Sequence, residues 1–206
     1  MHVVVVGDDT EQKIIREKTG ADHRVTCIAD VCDSPRDADV IFYLKEEPGL
    51  LNVIDDLPRG IPVFVNAVNK TTPNLSAKAI RINGWPGFVG RDTLEIAAAE
   101  ENTTEACNIL GSLGWKYCLS PDIPGLIAPR IIASIVNEAY FTYGEGVASK
   151  TDIDLAMKLG TNYPYGPFEW AQIIGLQNIY SLLLVLAEND RAYEIAPALL
   201  KEMNNL

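Results

Sequence analysis

The chain has 206 residues, 48% of them hydrophobic and 22% charged, which is the balance of a globular protein with room for one large domain or two small ones. Its net charge of −11 leaves no basic face to neutralise phosphate, which argues against nucleic acid and an anionic membrane surface as partners, and any polyanionic ligand must find local donors. The four cysteines (Cys27, Cys32, Cys107, Cys118) form no C-x-x-C pair and no metal-ligand spacing, so free thiols in a reducing cytoplasm and no metal are expected.

In chain order, residues 2–6 (HVVVV) are an unbroken β-branched run ending at Gly7, the pattern of a buried parallel strand. This stretch is too short and wrongly flanked for a signal peptide. Residues 10–19 read as a helix with Thr10 as N-cap and Gly20 as its stop. Strands are expected at 23–29, ending at Asp30, then at 39–44 and 61–67, with a short helix at 48–57. Further strand candidates cover 78–82 and 93–98, and a helix at 102–113 and a strand at 115–119 close the region. Strands alternating with helices predict a doubly wound, parallel α/β sheet.

From residue 121 the period changes. Ile127, Ile131, Ile135 and Ala139 recur at helical spacing after Pro124-Gly125 and predict one buried stripe, with a stop near Gly144 and Gly146. Ser149 stands three residues before Asp152 and ahead of the apolar positions Ile153, Leu155, Ala156 and Leu159, a capped second helix that Gly160 ends. Pro164, Gly166 and Pro167 make a stiff turn, and Phe168-Glu169-Trp170 opens a third helix running to about Ala187. Its run SLLLVLA is far below membrane-spanning length. The periodicity alone predicts a helical bundle.

The residue string is more specific. P-G-hydrophobic-I-x-x-R, then N-E-A, then E-G-V-A-S-K-x-D-I-D-x-A-M-K-L-G, then Y-P-x-G-P-F-E-W followed by Gly175-Leu176, resembles the C-terminal domain of 3-hydroxyacyl-CoA dehydrogenases. The resemblance implies an NAD-dependent interconversion of a 3-hydroxyacyl-CoA and a 3-ketoacyl-CoA. It also implies a homodimer formed through helices 127–143 and 165–187, which close one wall of the active site. Residues 189–206 resemble the last amphipathic helix of the family, with Pro197 near its start and Leu199, Leu200 and Met203 toward the bundle.

Carried onto the first half, the resemblance meets departures. A dinucleotide fold needs glycines after strand 1 so that backbone and helix N-terminus can approach a pyrophosphate. The family pattern G-x-G-x-x-G is here G-D-D-T-E-Q: Gly7 is kept, but Asp9 and Gln12 occupy the other glycine positions. Asp30, at the end of strand 2, stands where the ribose-binding acid belongs. The helical arm that helps the family hold CoA is replaced by VCDSPRDA, with Asp33, Asp37 and a single Arg36.

Oxidising an alcohol needs a base, for which the family uses a His oriented by a Glu. Glu95 falls on that Glu, and Asn83 occupies the position of the His; asparagine can hydrogen-bond but cannot take a proton. The remaining histidines, His2 and His23, lie at the opposite ends of their strands from a binding crevice. Without its partner Glu95 is left to pair with Arg130 or Arg91, or to face solvent. Pro129, followed by Arg130, occupies the position of the family's helical Asn. The turn V-N-K-T-T-P offers Asn69, Thr71 and Thr72 as substrate contacts.

The expected architecture is therefore a reduced Rossmann-like domain over 1–120 and an all-α helical dimerisation domain over 121–206. Two functions follow: the family's oxidoreductase reaction with NAD, or a non-catalytic descendant, a pseudoenzyme that binds an acyl-CoA-like molecule or serves as a structural dimer. The residue chemistry favours the second.

Overall fold

The computed structural model describes residues 1–45, 60–76, 78–188 and 190–205; the helix expected at 48–57 lies outside them. The chain separates into two compact units, Met1–Leu126 and Ile127–Leu206.

The first unit is built on β1 (His2–Val6), α1 (Asp9–Thr19), β2 (Arg24–Ile28), β3 (Val40–Tyr43), β4 (Val63–Asn66), β5 (Ala79–Ile82), β6 (Thr93–Ala98), α2 (Glu100–Ser112) and β7 (Lys116–Leu119). The strands form one sheet in the order β2-β1-β3-β4-β5-β6-β7. β1 to β5 are parallel, as the apolar runs within β1, β3 and β4 predict. β6 runs antiparallel to β5, and β7 is parallel to β6, so the sheet is mixed rather than wholly parallel. The reason is the connection at 83–92, which is shorter than the dozen or more residues of a parallel crossover.

Side chains alternate across the sheet. Val3, Val5, Phe42, Phe64, Ile80 and Ile96 pack with Ile15 of α1 and Ala106 and Leu110 of α2, and Phe42 stacks on Phe64 at 4.8 Å between ring centroids. Val4, Val6, Ile41, Tyr43 and Val65 form the opposite layer with Val31 and Leu75. Among the described strand residues, one charged side chain is fully buried. Arg81 of β5 has no exposed surface; its guanidinium donates to the carbonyls of Ala67, Val68 and Ile123 and to the carboxylate of Asp122. Asp122 also accepts from the backbone N–H and hydroxyl of Thr72, and Gly125 donates to Val68. This network ties residues 121–126 to the first unit.

Helix α1 is capped by Asp8, not by Thr10. Asp8 Oδ1 accepts from the N–H of Glu11 and Glu11 Oε2 accepts from the N–H of Asp8, a reciprocal box that an acid at N-cap and an acid three residues on favour.

The second unit contains α3 (Ala128–Gly144), α4 (Lys150–Thr161), α5 (Pro167–Ile174), α6 (Leu176–Ala187) and α7 (Pro197–Met203). The buried face of α3 is Ile132, Ala133, Val136, Ala139 and Tyr140; of the expected stripe Ala139 is buried and Ile135 half-buried, whereas Ile127 and Ile131 are exposed. The helix carries two apolar stripes, and the one bearing Tyr140 wins because its ring meets Phe168 edge-on at 5.0 Å. Ser149 caps α4 as expected, but the helix runs past Gly160 to Thr161, where Asn162 takes the left-handed conformation (φ 55°). Leu155 and Leu159 of α4 point outward.

The third predicted helix is two. Gly175 adopts φ 91° and bends the chain by 101° between α5 and α6, a conformation costly to any residue with a Cβ. No single described helix is long and apolar enough to cross a membrane; the bent pair α5–α6 has the composition, but Phe168, Trp170, Ile179, Leu182 and Leu183 are buried in the bundle. In the final segment only Pro197–Met203 is α-helical; Leu199 is buried and Leu200 exposed. Lys150 pins this helix by pairing with Glu202 beneath the rings of Tyr140, Tyr143 and Phe168, 5.0, 5.2 and 5.1 Å from their centroids.

Candidate functional site

In sheets of this topology a ligand site lies beyond the carboxyl ends of the parallel strands, where the strand order reverses. The reversal here is at β1, between β2 and β3. The carboxyl edge collects Gly7 after β1, Asp30 after β2, Leu44 after β3, Asn66 at the end of β4 and Asn83 after β5.

At Gly7 the chain turns into α1 with little room. A Cβ there would stand 2.5 Å from Glu11 Oε2 and 3.3 Å from Leu44 Cβ, so a side chain at this position would push the Glu11 carboxylate out of the capping box. Glu11 and Asp8 hold each other's backbone N–H at 2.8 Å, and the Gln12 side chain donates to the carbonyls of Gly7 and Ile28. The N-terminus of a helix attracts anions through such free N–H groups. Two of them are spent on the protein's own carboxylates, and Asp9 adds a further negative charge to the first turn. These residues do not fit the pyrophosphate of NAD.

Asp30 caps the short 3₁₀ turn Val31–Asp33 by accepting from Cys32 N–H at 2.8 Å. That hydrogen bond holds its carboxyl below the ordinary aspartate value, so the group is a carboxylate near neutral pH. It lies beside Gly7, since Val6 and Ile28 are register partners.

Asn83 and Glu95 are brought together by register. Ile82 faces Ile96 across the antiparallel pair, and Asn83 N–H donates to Glu95 carbonyl at 3.1 Å. Asn83 is 2% exposed; its Oδ1 accepts from Trp85 N–H at 3.4 Å and its Nδ2 has no partner among the described residues. Nothing at this position takes a proton from an alcohol.

Of the turn residues, Thr72 is buried and gives its hydroxyl to Asp122, whereas Thr71 accepts from the Asn74 side chain at 3.2 Å. Asn69 has a buried Oδ1 without a partner among the described residues. Pro129 sits in the first turn of α3, where its missing N–H costs nothing. Arg130 beside it lies over the Tyr193 ring at 5.3 Å. His2 is buried at the start of β1, where its ring meets Thr26 and Asp37, and His23 approaches the terminal amine; both are at the amino edge, away from the site.

Sequence reasoning missed the Arg81–Asp122–Thr72 network. The signal was a lone arginine in the apolar run AIRI; its partner, far along the chain, could not be read. It also missed a cavity of about 830 Å³ in the helical unit, lined by Tyr140, Tyr143, Lys201 and Glu202 among others. None of the sequence-predicted residues lines it. Among the described residues no group of His, Cys, Asp or Glu could hold a metal, and all four cysteines are free thiols.

The fold defined by this sheet and its appended helices is that of a Rossmann-like α/β protein with a helical domain. Residues 125–206 match the family model "3-hydroxyacyl-CoA dehydrogenase, C-terminal domain". The chain is 40% identical over 107 residues to a 3-hydroxybutyryl-CoA dehydrogenase from Bradyrhizobium diazoefficiens, covering 50% of this chain and 36% of that protein. It is 45% identical over 92 residues to a 3-hydroxyadipyl-CoA dehydrogenase from Escherichia coli, covering 43% of this chain and 19% of that one. The chain thus spans well under two thirds of the length of these relatives. Among solved structures, (S)-3-hydroxybutyryl-CoA dehydrogenase from Ralstonia eutropha superposes with a TM-score of 0.76 at 19% identity, covering 99% of this chain and 93% of that one, a likeness of fold. Residues 125–206 thus carry the C-terminal domain of the 3-hydroxyacyl-CoA dehydrogenase family.

Proposed function

We propose that this protein is a non-catalytic member of the family: a homodimer that does not carry out hydride transfer with NAD and keeps, at the carboxyl edge of its sheet, a site for an acyl thioester. The observation that carries the reading is the Asp8–Glu11 capping box, which spends the first-turn donors of α1 on internal carboxylates. Asn83 in the position of the base supports it independently, since an amide cannot accept the alcohol's proton. The acyl-thioester class comes from the relatives, which are named as dehydrogenases of 3-hydroxybutyryl-CoA and 3-hydroxyadipyl-CoA.

The homodimer reading rests on the apolar side chains that the helical unit leaves outside. Ile131 of α3, Leu184 of α6, and Leu155 and Leu159 of α4 are exposed, Leu159 by 78%. Such a face on one small bundle is a surface for association. A second copy of the chain is its proposed occupant, with α4 joining the helices first expected there.

One observation favours the rival, an active dehydrogenase: the register still sets Asn83 opposite Glu95, as a base and its orienting acid would need. The two separate in a turnover assay with NADH and acetoacetyl-CoA, followed by the loss of nicotinamide absorbance. The proposal expects a rate equal to the blank; oxidation that scales with protein concentration contradicts it.

A further inference from the structure

Lys18 stands half-buried in the last turn of α1 without an acid in contact. Other lysines differ: Lys150 and Lys158 pair with Glu202 and Glu169, and Lys13 and Lys116 lie 3.9 Å from Glu17 and Asp92. Among the described residues Lys18 Nζ has no carboxylate within ion-pair distance. It donates to the carbonyls of Val89, at 3.3 Å, and of Arg91, and lies 5.0 Å from the centre of the Trp115 ring. Burial holds its pKa below the ordinary lysine value, with Asp92 offsetting part of that effect. Lys18 lines a cavity of about 430 Å³ together with Ile14 and Trp115, which give it apolar wall. Arg91 and Lys116 line it too and offset Glu17 and Asp92, so an anion meets a locally balanced surface in a chain of net charge −11.

We propose that Lys18 is a modification site, whose amine takes an acyl group from a small acyl phosphate that enters this cavity. A neutral lysine keeps two N–H donors, one for each carbonyl it already meets, and its lone pair is left for attack. The lone pair attacks the acyl carbon and the C–N bond forms. The C–O bond to phosphate breaks, inorganic phosphate leaves, and the surplus proton on nitrogen passes to water. Arg91 and Lys116 are the cations at hand for the phosphate. The volume accommodates acetyl phosphate and is too small to enclose a CoA ester. The product amide has one N–H for two carbonyls and no charge. It therefore loosens residues 89–91 from α1 and takes the cation from the Trp115 ring. Those residues lead into β6, the strand that carries Glu95.

The test is incubation of the whole native protein with acetyl phosphate, followed by mass spectrometry of the acetylated fraction at each lysine. Lys18 is expected to react roughly threefold faster than the exposed Lys13, Lys78 and Lys116, because the gain in free amine outweighs what a weaker base loses in reactivity. Its rate should level off at a lower pH than theirs, and its lead should vanish in urea, where no cavity remains. The acetylated protein should show altered tryptophan emission and a lower melting temperature. Lys18→Arg, which keeps the charge and offers no amine, should show neither change after the same treatment.

Lys18 reacting no faster than the exposed lysines overturns the inference, since its carbonyl hydrogen bonds would then shield the amine. So does a lead that persists in urea, which would belong to the local sequence and not to the fold. Acylation of Lys18 by acetyl-CoA but not by acetyl phosphate also overturns it, because the cavity would then play no part in choosing the donor. The mapping on the native protein stands by itself should the arginine variant not fold.

Discussion

Arg81 places a paired charge wholly inside the first unit. Its guanidinium is fully buried, and burial holds its pKa below the ordinary value, with Asp122 offsetting part of that effect. For Asp122, burial pushes the carboxyl up, but hydrogen bonds from Thr72 and Arg81 outweigh it and hold the group below the ordinary value of 3.8. A carboxylate depressed in the folded state lends stability that is whole above its unfolded pKa and is lost as pH falls through its folded one. Urea denaturation of Asp122→Ala should therefore show a loss of about 3–5 kcal/mol near neutral pH, because a buried cation loses its partner. The gap to the native protein should narrow in acid below pH 3.8. A constant gap across that range would mean that Asp122 does not stay ionised in the fold. Asn83 was reached by counting back from Glu95; that the two are neighbours across an antiparallel pair could not be read from that spacing. The role of Thr72 was not legible either: the sequence offers its hydroxyl to a ligand, and only the return of the chain at Asp122 shows where that hydroxyl goes.

At the scale of elements, strands were the easiest to read. The strands β1 (HVVVV) and β4 (VFVN) are buried at every position and apolar at all but one, as a doubly covered sheet requires, and their observed bounds fall within a residue or two of those expected. Direction was harder, because the reversal at β6 follows from the length of one connection rather than from composition. In the helical unit the α3 stripe was misphased, since Ile127 and Ile131 keep helical spacing on a face that stays outside. The break at Gly175 was hidden within an apolar run that reads as continuous. Gly175→Ala tests its cause: forcing a Cβ into φ 91° should cost about 1–3 kcal/mol in thermal or urea unfolding. A neutral or stabilising effect would mean that α5 and α6 can join into one helix without penalty.

At the scale of the whole molecule, two claims remain to be measured: what covers the apolar face and whether the dinucleotide site is shut. Leu155 and Leu159 lie one turn apart on α4 and share an exposed face. Light scattering on the eluting protein should give the mass of a dimer, and Leu159→Asp should shift it to the monomer. A native protein that elutes as a monomer across micromolar concentrations would leave that face without the proposed occupant. The family was legible because its signature strings lie in the helical half, where spacing is rigid. The state of the nucleotide loop was half legible: the sequence showed acids at glycine positions, but not that Asp8 and Glu11 close on each other's backbone. The most direct test of the account is calorimetric titration of the native protein with NADH. The closed first turn of α1 predicts no saturable heat up to millimolar ligand. Binding with a micromolar dissociation constant would show that a pyrophosphate still displaces the capping box, and would contradict the account.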